Sequence, residues 1–194
     1  MNENTIMIGF LLFPEVEELD FVGPYEVLAN ASDEEGKPYC QVTTVGTDRE
    51  ITCRRGLRVI SAHLLENAPE MDLLIVPGGP GARKNYDDEK IVSFLRQQRK
   101  QTSVIASVCT GAFYLAYSGF LDGGRATTHP FQFDSFRKLF PQIKLMEQKI
   151  VDEGAVVTAG GVSSGIDLGL YFIEQWFGSE ARAREIKRLD GPWK

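Results

Sequence analysis

Short apolar runs with the character of β-strands alternate with helical patterns along this chain of 194 residues. Such alternation predicts strand–helix–strand crossovers, which make neighbouring strands parallel and place helices on both faces of the sheet. We predict strands at 6–13, 41–45, 73–76 and 103–107, a small hairpin strand at 54–60, and helices at 88–100, 131–140 and 166–177. The expected fold class is therefore α/β, with a doubly wound, mostly parallel sheet sandwiched by helices.

The length and composition of the chain indicate one globular domain covering residues 1–194, because no repeat or linker divides it. The formal net charge of −6 argues against a nucleic-acid partner, since phosphate binding requires a basic surface. The apolar opening segment, 5–13, is too short to span a bilayer and lacks the basic flank of a secretory signal. We therefore expect a cytoplasmic protein without a membrane or nucleic-acid partner.

The three cysteines, Cys40, Cys53 and Cys109, are too few and too scattered for a disulfide framework. No Cys-x-x-Cys pair occurs and the chain has two histidines, so a metal site would need mainly carboxylate ligands. We expect no metal. A reducing cytoplasm would keep Cys109 a free thiol.

Cys109 lies where the strand at 103–107 ends and the helix-forming run 112–117 begins. In an open parallel sheet such a turn lifts a side chain above the carboxyl edge, where ligands bind. It also places that side chain beside N–H groups at a helix N-terminus, which favour a thiolate. In a hydrolase nucleophile elbow the following residue, here Thr110, donates an N–H to the oxyanion. Cys109 is therefore a candidate nucleophile, and the alternative is a buried, inert cysteine at a strand end.

A glycine-rich loop, 77–81, follows the predicted strand at 73–76 and leaves the same edge of the sheet. Glycines let a backbone approach a ligand closely and direct N–H groups towards it. We expect Gly78 and Gly79 to border the substrate, and the Gly79 N–H to act as an oxyanion donor together with that of Thr110. The alternative is a tight turn, while a phosphate-binding loop is not favoured because no Gly-Lys-Ser/Thr follows.

Asp20 follows the first predicted strand, at the same edge of the sheet. A carboxyl group there hydrogen-bonds Cys109 when protonated, or exchanges protons during turnover. Asp20 also lies just before Pro24, which suits the first turn of a helix, so a capping role stays open. Glu17 and Glu18 are expected in solvent.

His129 comes twenty residues after Cys109. Spacing alone leaves two interpretations equally open: a Cys–His pair, or a hydrogen-bonded histidine near the site or an interface. The apolar residues Phe131 and Phe133 give weak support for a homodimer interface. His63 is expected at the surface.

The chain resembles the ThiJ/PfpI superfamily, whose flavodoxin-like architecture is shared with class I glutamine amidotransferases. Within it the chain most resembles the isocyanide hydratases, because Asp20 stands at the acidic position, Thr110 follows the cysteine, and the opening run has the sequence Gly-Phe-Leu-Leu-Phe-Pro-Glu-Val. The segments that carry the resemblance are 8–16, 19–20, 23–24, 75–79, 107–111, 126–129 and 158–161.

The resemblance implies that Cys109 attacks the terminal carbon of an isocyanide and forms a covalent thioimidate. Asp20 would orient the thiolate and donate or relay a proton, Thr110 would position cysteine and substrate, and water would release an N-substituted formamide. The resemblance also implies a homodimer, a small-molecule substrate and no cofactor. A low-pKa, accessible Cys109 would oxidise readily, as regulation or as damage.

Two other functions stay open. A ThiJ-type glyoxalase or stress hydrolase would use the same thiolate against an aldehyde carbonyl. The fold also forms the ligand-sensing half of AraC-type regulators, whose additional helix-turn-helix domain we do not expect after 191–193.

Overall fold

The structure, a computed structural model, describes residues 5–193. Within these residues, two small two-stranded sheets accompany a seven-stranded central sheet. The strands are β1 (Ile6–Leu12), β2 (Cys40–Gly46), β3 (Glu50–Thr52), β4 (Arg58–Ile60), β5 (His63–Leu64), β6 (Leu73–Val76), β7 (Val104–Val108), β8 (Arg125–Ala126), β9 (Lys144–Leu145), β10 (Ile150–Asp152) and β11 (Val156–Ala159).

The helices connect the strands and cover the sheet. They are α1 (Glu18–Asn30), α2 (Pro80–Lys84), α3 (Glu89–Gln98), α4 (Ala112–Tyr117), α5 (Phe133–Leu139) and α6 (Ser164–Leu189), with short 3₁₀ turns at Leu65–Asn67, Cys109–Gly111 and Pro130–Gln132.

The central sheet has the strand order β10–β11–β7–β6–β1–β2–β5. All neighbouring pairs are parallel except β10 with β11. The predicted fold class, an α/β sandwich with a mostly parallel sheet, is confirmed. The central strands β1, β6 and β7 are apolar and almost completely buried, because helices shield both faces.

The strand order reverses at β1, which has β2 on one side and β6 on the other. In such sheets the two connections leave in opposite directions, and the crevice between them at the carboxyl edge is where ligands bind. The loops after β1, β6 and β7 meet at this crevice. They contain the residues singled out in the sequence.

Several element boundaries differ from the prediction. The stretch predicted as one hairpin strand, 54–60, is the turn and second strand of a hairpin with β3. The helix predicted at 166–177 is the first part of α6, and a kink at Gly178, where φ is +86°, separates it from a second helical segment that reaches Leu189. His63 is half-buried in the edge strand β5 rather than at the open surface, because it pairs with β2.

Candidate active site

Cys109 has the backbone geometry of an elbow. Its φ is +57°, in the left-handed region that residues other than glycine rarely adopt. The Cys109 N–H donates to the carbonyl oxygen of Gly160 at 2.7 Å, and its carbonyl oxygen accepts from the Thr128 hydroxyl at 2.8 Å. The partners, Gly160 and Thr128, follow β11 and β8, and the two hydrogen bonds hold the strained turn in place.

The elbow and the glycine loop approach so closely that side chains would not fit between them. A Cβ at Gly78 would overlap the Thr110 backbone and lie 2.6 Å from Thr110 Oγ1. A Cβ at Gly111 would overlap the carbonyl oxygen of Val76. Glycine is therefore required at both positions for the loop after β6 to pack on the turn after β7.

Asp20 lies in the first turn of α1, which begins two residues before it. A helix-capping role for Asp20 is therefore wrong, because the N-cap position is Glu17 and Asp20 points into the protein with 0% exposure. Asp20 Oδ2 accepts the Gly78 N–H at 2.9 Å. Within the described part of the chain Oδ1 is buried without an N–H or O–H donor, which leaves it available to the Cys109 thiol.

Burial raises the pKa of Asp20 to about 7, against the opposing effect of the Gly78 N–H. Burial and the Asp20 carboxylate together raise the pKa of Cys109 far above its usual range, and the Thr110 N–H offsets this only in part. The expectation of a low pKa for Cys109 is therefore wrong, because the residue is only 5% exposed and lies beside Asp20. The two groups titrate as a pair that loses its first proton near neutrality and retains the second.

The Thr110 hydroxyl connects the elbow to the glycine loop. Thr110 Oγ1 accepts the Gly79 N–H at 2.8 Å and lies 3.1 Å from the Gly79 carbonyl oxygen, to which it donates. Gly79 is beside the elbow as expected. Its N–H, however, is already bound to Thr110, so it is not an open oxyanion donor in this structure.

A cleft of about 150 Å³ opens above the elbow. Asp20 and Gly78 are not among the residues that line it, although Gly78 was expected to border the substrate. The lining residues are Glu17, Arg54, Gly79, Pro80, Arg83, Cys109, Thr110, His129, Phe131, Gln132 and Val162.

His129 lines the cleft with Cys109, but its ring is held by its own segment. His129 Nδ1 accepts the Phe131 N–H at 3.1 Å, and burial followed by the charge of Arg83 lowers the pKa of His129. Among the hydrogen bonds within residues 5–193, none joins His129 to Cys109. The structure therefore favours a neutral, hydrogen-bonded histidine at the wall over a Cys–His pair.

The structure adds two arginines that the sequence analysis missed, Arg54 and Arg83. Glu17 and Glu18 are not free in solvent as expected: Glu17 is 16% exposed and forms an ion pair with Arg54, and Glu18 Oε1 accepts the Arg55 N–H at 2.7 Å. The available signal for Arg54 in the sequence was the pair of adjacent arginines, Arg54 and Arg55, together with the pair of adjacent glutamates, Glu17 and Glu18.

The described residues contain no cluster of three or more His, Cys, Asp or Glu side chains suited to a metal ion. None of the helices in the same part of the chain has the length and apolar character to cross a membrane. The three cysteines are free and buried. The titratable groups that the structure brings together at the elbow are the Cys109 thiol and the Asp20 carboxyl group.

Comparison with known proteins identifies relatives of several kinds. The isonitrile hydratase of Pseudomonas putida is 36% identical over 90% of this chain and 73% of that protein. The HTH-type transcriptional regulator GbdR of Pseudomonas aeruginosa is 28% identical over 94% of this chain, which spans about half of that protein (50%). A ThiJ/PfpI family protein from Pseudomonas syringae has the same fold, with a TM-score of 0.87 at 22% identity over 98% of this chain and 77% of that one.

The model of the DJ-1/PfpI family matches residues 7–175, most of the chain and all the elements that build the cleft. The chain therefore belongs to the DJ-1/PfpI family.

Proposed function

We propose that this protein is a cysteine-dependent hydratase that converts isocyanides to N-substituted formamides. The observation that carries the proposal is the buried Asp20–Cys109 pair at the elbow, with a pKa for Asp20 of about 7. A group with that pKa both accepts and donates protons near neutral pH. The 36% identity to an isonitrile hydratase supports the isocyanide as substrate.

In the proposed reaction, Cys109 Sγ attacks the terminal isocyanide carbon while the remaining proton of the Asp20–Cys109 pair is delivered to that carbon. The product is a thioimidate, R–N=CH–S–Cys. Water then adds to its carbon, the nitrogen gains a proton, and the C–S bond breaks to release R–NH–CHO. The proton returns to the pair, so the net reaction is addition of one water molecule.

The surroundings of the thiol fit this sequence of steps. The Thr110 N–H opposes the upward shift of the Cys109 pKa, so it stabilises negative charge on sulfur. Burial also strengthens the coupling of the thiol to Asp20. The thiol therefore lines a cleft that admits a small molecule, and its acid lies next to it.

The proposal includes a homodimer in the cytoplasm. Phe131 is 90% exposed at the rim of the cleft, and Leu19 and Val22 are also exposed. Large apolar side chains exposed beside a site are typical of an interface. Covering Phe131 with a second copy would close the cleft further.

An activity panel tests the proposed function. We expect the purified protein to convert alkyl or aryl isocyanides to formamides, followed by loss of isocyanide and gain of the formamide in chromatography. Cys109→Ala should abolish conversion, while Cys40→Ala, at a buried cysteine on β2, should retain it. Activity on glyoxal and none on isocyanides would replace the proposal with the glyoxalase function.

A ligand-sensing function has one observation in its favour, the likeness to GbdR over nearly the whole chain. A sensing domain needs to bind a ligand but does not need to turn it over. Saturable ligand binding that persists in Cys109→Ala, without turnover by the wild type, would favour sensing.

A further inference from the structure

We propose that the substrate carries a negatively charged group, such as a carboxylate, and that Arg83 binds this group while the electrophilic carbon reaches Cys109. This inference rests on the proposed role of Cys109 as nucleophile and extends it to a class of substrate.

The charges that line the cleft do not balance. Glu17 and Arg54 form an ion pair and neutralise each other. Arg83 also lines the cleft, and within residues 5–193 no ion pair or side-chain hydrogen bond involves its guanidinium. The neighbouring Lys84, by contrast, pairs with Glu15 at 2.7 Å. Arg83 is therefore a cationic side chain of the cleft without an ion-pair partner in the described part of the chain, in a protein whose net charge is −6, and above about pH 7 the Asp20–Cys109 pair adds one negative charge next to the cleft.

The backbone holds Arg83 at a fixed place relative to the elbow. The Arg83 N–H donates to the carbonyl oxygen of Gly79 at 3.4 Å, and the Thr110 hydroxyl donates to the same oxygen at 3.1 Å. The arginine and the residue after the candidate nucleophile thus share one anchor. A guanidinium suits a carboxylate because its N–H groups bind both oxygens at once.

Neither His129 nor Gln132, two other polar residues of the cleft, neutralises the positive charge of Arg83. The charge of Arg83 contributes to lowering the pKa of His129, so it acts on another residue that lines the cleft, and His129 adds no positive charge of its own near neutral pH. Gln132 lines the same cleft and carries no charge. The cleft volume of about 150 Å³ suits a small acid.

Alkylation of Cys109 tests the anion site without any assumption about the natural substrate. Iodoacetate and iodoacetamide have nearly the same shape, and both transfer a carbon to Sγ with release of iodide, but only iodoacetate carries a charge. We expect Arg83→Gln to slow alkylation of Cys109 by iodoacetate about tenfold relative to iodoacetamide. Mass spectrometry would locate the label at Cys109.

Two further variants make the result specific. Arg83→Lys, which keeps the charge, should retain most of the preference for iodoacetate. Arg96→Gln, which removes an exposed charge from α3 outside the cleft, should leave the ratio of the two rates unchanged. An unchanged ratio in Arg83→Gln, or no modification of Cys109 by iodoacetate in the wild type, would overturn the proposal.

Turnover of isocyanoacetate and of its methyl ester completes the experiment. We expect Arg83→Gln to lower kcat/KM about tenfold for the acid and less than twofold for the ester. If neither these compounds nor any isocyanide of the activity panel is hydrated, the proposed hydratase function fails, while the alkylation ratio still decides whether Arg83 binds anions. If both are hydrated and Arg83→Gln affects them equally, the hydratase stands and the anion site is wrong.

Discussion

Replacing Asp20 with asparagine separates a structural from a chemical role, because we expect the change to raise stability and to lower activity. In the unfolded chain an aspartate ionises near 3.8, whereas burial raises the pKa of Asp20 to about 7 in the folded protein. Between these values the folded protein keeps a proton that the unfolded chain has lost. The free energy of unfolding therefore falls as the pH rises through this range, by about 4 kcal/mol in total at about 1.4 kcal/mol per pH unit.

Asparagine has no proton to lose, and its amide oxygen still accepts the Gly78 N–H. We expect Asp20→Asn and the wild type to have similar free energies of unfolding below about pH 4. Above about pH 7 the variant should be more stable by about 2–4 kcal/mol. It avoids the loss of about 4 kcal/mol that the wild type suffers, but its neutral amide oxygen accepts a weaker hydrogen bond from the Gly78 N–H. Turnover should fall by about 100-fold or more, because no general acid–base remains beside the thiol.

Urea unfolding at several pH values, followed by tryptophan fluorescence, measures the free energies, and isocyanide hydration measures turnover. Asp87→Asn is the matched control, because Asp87 is an exposed carboxylate between α2 and α3. Its free energy of unfolding should follow that of the wild type at each pH. A less stable Asp20→Asn protein above about pH 7, with normal turnover, would refute the acid–base assignment and leave Asp20 a structural residue.

Four further predictions address the site and its surroundings. We expect kcat/KM for an isocyanide to rise through about pH 7, as the Asp20–Cys109 pair loses its first proton; a flat pH–rate profile there would contradict this. Thr128→Val removes the 2.8 Å hydrogen bond to the Cys109 carbonyl and should lower kcat about tenfold, with recovery in Thr128→Ser. Gly78→Ala places a Cβ 2.9 Å from Asp20 Oδ2 and should lower stability by about 1–3 kcal/mol, so an unchanged Tm would reject the close packing. Phe131→Asp should convert the proposed dimer to a monomer in size-exclusion chromatography with light scattering, and a dimer that persists would place the interface elsewhere.

The fold could be predicted because its signals are local. Residues 73–76 form an apolar run bounded by a turn, and the strand β6 (Leu73–Val76) has the predicted bounds. The elbow could also be predicted, because the change from a strand pattern to a helix pattern surrounds a single cysteine at 109. The helix predicted to end at 177 stops at the kink of Gly178, whose positive φ separates the two helical segments of α6.

The electrostatics of the site could not be predicted, because they depend on contacts between loops far apart in the chain. The pKa of Cys109 is raised by burial and by Asp20, whereas the sequence indicated a helix N-terminus that favours the thiolate. The Gly79 N–H was expected to face the substrate, and only the packed loops show that Thr110 accepts it. Local patterns place residues on an edge of the sheet, but burial decides which of their groups are charged or already bound.

Two unfavourable features meet at the candidate nucleophile. Cys109 holds a left-handed φ of +57°, at an expense of roughly 1–3 kcal/mol for a residue with a side chain, and Asp20 is buried beside it. Glycine at position 109 and asparagine at position 20 would each relieve one of these features. Strain and a buried titratable group concentrate at functional sites, where geometry matters more than stability. A fold that served only as a scaffold would have no need of both, so their coincidence supports chemistry at Cys109 more strongly than either feature alone.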